Sequence, residues 1–219
     1  MRNLYTAELE AITHRVLKMG TTLEQSINET IRVLSDVDAV GAQRLIDGDD
    51  VFDQMERSIE QHCLNLVAMQ APVAGDWRRI ASIMRMISDL ERIADHCSDI
   101  AEYVLKLSAL PRVAQPEGLA GMLTRVKDML RATVLAYVEL DVDSARAVVR
   151  QDDNQDEAFE NMVTSLCTLM EQEPEHIPQY VDYLMIAKYL ERMSDHTTNL
   201  AEWISYITDG VLTALTPFP

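Results

Sequence analysis

The segment Leu90-Glu91-Arg92-Ile93-Ala94-Asp95-His96 returns as Leu190-Glu191-Arg192-Met193-Ser194-Asp195-His196, at an offset of 100 residues and without a gap, and Ala101-Glu102 returns as Ala201-Glu202. An internal repeat on this scale constrains the chain more than any other feature, because whatever one copy folds into, the other folds into as well. Upstream, Asp49-Asp50-Val51-Phe52-Asp53 is similar to Asp152-Asp153-Asn154-Gln155-Asp156 at an offset of 103, so the spacing between the two motifs differs by three residues between the copies. The chain is a duplication.

Each copy contains three stretches with apolar residues at helical spacing. In the clearest, Ile80, Ile83, Ile87, Leu90, Ala94, Cys97, Ala101 and Val104 follow one another in steps of three and four, the seam of a helix in a left-handed bundle. Aromatic residues make up only 5% of the 219-residue chain, and it has 7 Gly and 7 Pro, too few for the aromatic-rich strands and frequent turns of a sandwich or barrel. The periodicity predicts helices near 4–36, 38–69 and 76–107, a connection through Pro111 and Pro116, and helices near 118–139, 142–172 and 178–208. Asp76 is placed to cap the third helix and Gly210 to end the last. The expected fold is all-α: two tandem antiparallel three-helix bundles, six helices in all, related by an internal pseudo-two-fold. Residues 1–110 form the first, residues 117–210 the second, and 211–219 a loose tail. Periodicity leaves open whether the bundles join end to end or side by side.

Charge narrows the function. The formal net charge of −17 leaves nothing to neutralise a run of phosphates, which argues against nucleic-acid binding. No stretch approaches the roughly 18 apolar residues of a membrane span, and the first 20 residues carry Glu8, Glu10 and Lys18 where a signal peptide has an apolar core. Cytoplasmic residence without membrane insertion is the expectation. Cys63, Cys97 and Cys167 show no metal or redox spacing and read as core residues of a reducing compartment. A phosphate-binding loop, a nucleophile elbow and a dinucleotide fingerprint are all missing, so nothing marks an enzyme.

Acidic residues carry the remaining signal. At about 100° per residue, Glu91, Asp95, Asp99 and Glu102 project within roughly 80° of one another, a ridge of carboxylates beside the apolar seam. Asp49, Asp53, Glu56 and Glu60 form a similar ridge on the preceding helix, and the second copy repeats both with Asp152, Asp156 and Glu160 and with Glu191, Asp195, Asn199 and Glu202. Like charges one turn apart cost a helix about 0.2–0.5 kcal/mol each, so such ridges call for a cation. Hard oxygen donors suit divalent or trivalent metal ions, with Mg, Mn, Fe or Zn as candidates. In a chain with 36 acids the same residues also read as solvated outer faces, with Arg57, Arg92 and Arg192 as counter-charges. A further alternative is a metal-carboxylate bundle with a storage or enzymatic role. His96 and His196 fall about 100° off the ridges and read as exposed.

Three segments carry a family likeness. Pro72-Val73-Ala74-Gly75-Asp76-Trp77-Arg78 resembles the PVAxDLR loop of the PhoU family of bacterial phosphate-uptake regulators, and Asp89-Leu90-Glu91-Arg92-Ile93-Ala94-Asp95-His96 resembles its DLERIGDH helix. Tyr189-Leu190-Glu191-Arg192-Met193-Ser194-Asp195-His196 is similar to the second-repeat form. The resemblance implies a pair of three-helix bundles whose E/DxxxD motifs hold metal in some members. Glu91, Asp95, Glu191 and Asp195 inherit that motif, with Asp49, Asp53, Asp152 and Asp156 opposite them and Asp99 and Asn199 one turn on. It also implies a homodimeric regulator, not an enzyme, that restrains the phosphate ABC transporter. The implied partners are that transporter's ATPase subunit and the phosphate sensor histidine kinase.

Overall fold

The computed structural model describes residues 2–70 and 72–210, so the expected loose tail at 211–219 lies outside the described residues. Helices α1 (Arg2–Asp36), α2 (Ala39–Asp47), α3 (Asp50–Gln70) and α4 (Ala74–Ser108) make the first copy. Helices α5 (Leu119–Glu139), α6 (Val142–Gln172) and α7 (Ile177–Asp209) make the second, with a single 3₁₀ turn at Pro174–His176. The expected second helix is broken in two. Gly48 ends α2 with its amide donating to Arg44 O at 3.2 Å, and α3 starts with Asp50 and Asp53 in its first turn, where the helix dipole favours negative charge. With α2 and α3 counted as one interrupted helix, the architecture is the six-helix pair of bundles.

The duplication shows most plainly in its corners. Val37 (φ 51°) and Leu140 (φ 52°) occupy the left-handed region 103 residues apart, where a non-glycine residue is uncommon. Each is followed by an aspartate whose amide reaches back to close the turn, Asp38 N to Val33 O and Asp141 N to Ala136 O, both at 2.9 Å. Each aspartate then caps the next helix. Asp38 Oδ1 accepts from the amides of Val40 and Gly41 at 3.1 Å, and Asp141 Oδ1 from those of Asp143 and Ser144 at 3.0 and 3.2 Å. The cap expected of Asp76 is not formed; α4 starts two residues earlier behind Val73, which offers no side-chain cap. Gly210 ends α7 in the left-handed conformation as expected, its amide donating to Tyr206 O at 3.0 Å.

The two corners differ at one position. A Cβ on Gly41 would sit 2.5 Å from Arg32 Nη2 and 2.6 Å from both Asp38 Oδ2 and the buried Val33 Cγ1. Overpacking of this kind costs about 1–3 kcal/mol. Thermal denaturation of Gly41→Ala should therefore show a clear fall in Tm, whereas Ser144→Ala at the equivalent place in the second copy loses only an exposed hydroxyl contact to Asp141.

The bundles lie side by side. Helix α4 packs antiparallel along α7, their most extensive helix pair, and α1 meets α5 closely enough that a Cβ on Gly20 would come within 2.7 Å of Val134 Cγ2. A single apolar core runs through both copies, from Ile12, Met19 and Ile93 to Leu130, Ile186 and Leu200. The histidines expected on the surface belong to this seam. His96 is buried at 9% exposure, 5.7 Å between ring centroids from His196 and 5.3 Å from Tyr189. His196 Nδ1 in turn lies 2.9 Å from Asp89 Oδ1 on α4. Both rings turn inward because each bundle covers the other's helix face about 100° from the acids. Cys63 and Cys97 are core residues as expected, but Cys167 lies exposed on the outer face of α6.

Candidate metal centre

In the second copy α6 and α7 bring Asp152, Asp156 and Asp195 together, with one carboxylate oxygen of each within 4.8 Å of the others. The i, i+4 spacing of Asp152 and Asp156 puts both on the edge of α6 that faces α7. Ser194 Oγ donates to Asp152 Oδ1 at 2.6 Å and fixes that carboxylate against the neighbouring helix. Glu191, one turn before Asp195, accepts from Lys188 Nζ at 2.6 Å. Asn199 is directed elsewhere, its amide donating to Asp89 Oδ1 across the seam at 3.4 Å.

The first copy is looser. Among the described residues no three of its carboxylates meet as closely as those of the second copy, though Asp49, Asp53, Glu91 and Asp95 sense one another electrostatically. Arg92 occupies the ridge, with Nη1 donating to Asp95 Oδ2 at 3.0 Å and Nε 3.5 Å from Glu91 Oε2. Arg57 pairs with Asp53 at 2.7 Å, and Asp99 turns to His96 Nδ1 at 3.0 Å. The break before α3 also alters the geometry. Asp49 stands outside the helix that follows it, while Asp152 sits within continuous α6.

Loss of water and mutual repulsion hold these acids away from the ordinary carboxylate range. Partial burial pushes Glu91 up to about 7, with repulsion from Asp95 adding to it and Arg92 opposing it. Partial burial likewise raises Asp49 to about 6, assisted by the charges of Asp95, Asp53 and Asp99. Asp195 is raised to about 6 by lost hydration of its carboxyl, then by repulsion from Glu191, Asp152 and Asp156. Asp152 and Asp156 shift upward for the same first reason, with Ser194 opposing the rise at Asp152. Such a group accepts a cation readily, since a metal ion supplies the charge that the site lacks. The all-oxygen donor set fits Mg²⁺, Mn²⁺ or iron better than Zn²⁺, whose protein sites use mainly nitrogen and sulfur.

Helical spacing aligns Asp152 with Asp156 and Glu91 with Asp95, whereas Asp49, expected on the second-helix ridge, lies in the break before α3; the spacing gives no sign of Ser194, Lys188 or Asp89 as supports. Only the Ala94/Ser194 difference between the copies was there to signal the first of these.

Two side-by-side copies of a three-helix bundle, each with carboxylates aligned on two adjacent helices, define a class of duplicated all-α acidic bundle proteins. The chain belongs to the PhoU family: the PhoU domain matches residues 16–104 and again residues 119–204. A phosphate-specific transport system accessory protein PhoU homolog of Clostridium acetobutylicum is 32% identical over 210 residues, covering 95% of this chain and 96% of that one. The PhoU accessory protein of Escherichia coli is 30% identical over 206 residues, covering 94% of this chain and 86% of that one. The crystal structure of PhoU from Pseudomonas aeruginosa superposes with a TM-score of 0.89 at 31% identity, covering 94% of this chain and all (100%) of that one. The phosphate transport system regulatory protein PhoU from Streptococcus pneumoniae gives a TM-score of 0.90 at 29% identity, covering 96% of this chain and 100% of that one.

Proposed function

We propose that this protein is an accessory regulator of phosphate uptake. In this reading it restrains the phosphate ABC transporter through the transporter's ATPase subunit and damps phosphate-starvation signalling through the sensor histidine kinase. The observation that carries the reading is likeness along 94–95% of the chain to proteins named as accessory parts of the phosphate-specific transport system, with a solved relative named a regulatory protein of that system. The acidic ridges are proposed to hold divalent or trivalent metal, with Asp152, Asp156 and Asp195 as the assembled site of the second copy and Asp49, Asp53, Glu91 and Asp95 as the ligands of a more open site in the first. Physical chemistry supports docking through protein contacts. No helix among the described residues is long and apolar enough to cross a membrane, and a net charge of −17 is repelled by an anionic leaflet. The reading places the protein in the cytoplasm as a homodimer.

The test is a deletion strain that reports phosphate-starvation gene expression in phosphate-replete medium. Expression should rise without the gene and fall when it is restored. A chain with both Asp95→Ala and Asp195→Ala should contain less metal by elemental analysis while keeping its helicity. Unchanged expression on deletion would refute the regulatory role; equal metal content in wild type and variant would refute the ligand assignment alone.

A further inference from the structure

A groove of about 560 Å³ opens where the connection between α4 and α5 passes over the end of α6 and the start of α7. That volume falls within the ~300–1,000 Å³ typical of small-molecule sites. Its lining joins two chemistries. Val113, Pro116 and Leu169 supply apolar surface, while Arg112, Gln115 and His176 supply polar groups.

The polar groups are only partly used. Arg112 Nη2 donates to Asp36 O at 3.0 Å, which pins the connection to the end of α1, and no carboxylate among the described residues pairs with its charge. Gln115 Nε2 is shut off from solvent with no acceptor, so it is the rest of this half-buried side chain that borders the groove. His176 Nδ1 lies 3.1 Å from Glu173 Oε2, which leaves Nε2 without a protein partner among the described residues. Two acids also line the groove: Glu173 is already held by His176 and by the hydroxyl of Tyr180, and Glu117 makes no ion pair with Arg112. On α6 the hydroxyls of Thr164 and Thr168 donate back to Glu160 O and Thr164 O.

A purely apolar ligand would strip water from Arg112 and return no hydrogen bond, which is costly. A bare inorganic anion would leave the apolar wall uncovered. We propose that this groove binds a small organic anion, a carboxylate or a phosphate monoester, whose anionic group meets Arg112 while its apolar body covers Val113, Pro116 and Leu169. Because the lining comes from the connection and from the second bundle together, the ligand fastens the connection onto the end of α6 and the start of α7.

Fluorescence titration with 8-anilinonaphthalene-1-sulfonate, an apolar anion, tests this on the full chain. One saturable site is expected. Arg112→Gln and Thr168→Trp, the second of which fills the groove from an exposed position on α6, should each weaken binding at least tenfold. Trp77→Ala, at an exposed site on α4, should not. Circular dichroism identifies any variant that fails to fold, and Thr168→Trp then decides. Displacement of the probe by phenyl phosphate or by octanoate supports the proposal and tells phosphate esters from carboxylates. Binding that survives Thr168→Trp or a folded Arg112→Gln unchanged, falls equally in Trp77→Ala, or yields to neither competitor overturns it.

Discussion

Titrated from pH 5 to pH 8 in the presence of chelator, the protein should lose about 2 kcal/mol of stability, and Mn²⁺ should restore it at pH 8 but hardly at pH 5. The sign follows from the direction of the shifts. Glu91 is raised to about 7, and Asp49 and Asp195 to about 6. Between an unfolded value near 4 and these folded values, the native state binds more protons than the unfolded chain, so stability falls as pH rises through the window. One raised pKa unit corresponds to about 1.4 kcal/mol, and the sum of the three is cut by more than half because all three carboxylates keep contact with solvent, Asp195 most of all, and their mutual repulsions are screened. Carboxylates shifted the other way, such as Glu29, Asp38 and Asp141, exert their pH effect below about pH 4 and stay constant here. A metal ion competes with the proton for the same oxygens, so its stabilisation grows with pH. Urea denaturation followed by circular dichroism measures both effects. A profile that is flat or rising across the window, and indifferent to Mn²⁺, would sink the account of the site.

Cutting the chain after Arg112 should leave a helical fragment that does not persist as a monomer. A unit of about 100 residues is large enough on length alone to fold independently. What opposes it is the surface the cut uncovers. Helix α4 would lose its packing against α7, exposing His96 and Tyr103, which rest against Tyr189, and α1 would lose Val134 from beside Gly20. An apolar face of this extent on a small bundle drives self-association. Sedimentation should therefore find dimers or larger species, and unfolding should occur at a markedly lower temperature than in the full chain. A monomer that melts cooperatively at the full-length Tm would mean that the shared core contributes nothing.

Helix positions were legible because apolar residues recur at three and four over whole helices, and a periodic pattern survives ignorance of its partner. The break at Gly48 was harder to see. Apolar spacing continues across it, and only Gly48-Asp49-Asp50 marks the change of helix. Rotation about a helix axis gave the acidic ridges, but it could not say what covers the adjoining face. Rotation alone leaves His96 and His196 on an open face, and the meeting of α4 and α7 encloses them. The same limit applies at the candidate site. Spacing aligns Asp152 with Asp156 and Asp49 with Asp53 equally well, whereas the approach of the opposing helix, which assembles three oxygens in one copy and not the other, depends on packing beyond the reach of either motif.

The contact between His96 and His196 lies where a pseudo-two-fold axis passes through the molecule, and it bears on how the halves could diverge. In a dimer of identical subunits, every residue near such an axis appears on both sides, so any change there is made twice. In a fused chain the sides vary separately. His196 faces the carboxylate of Asp89, while His96, its mate, faces the ring of Tyr189, the residue that replaces that aspartate in the second copy. Joining the copies thus turned an obligatory symmetry into two independently adjustable contacts, with a carboxylate from the opposite helix beside one histidine and a tyrosine ring from the opposite helix beside the other.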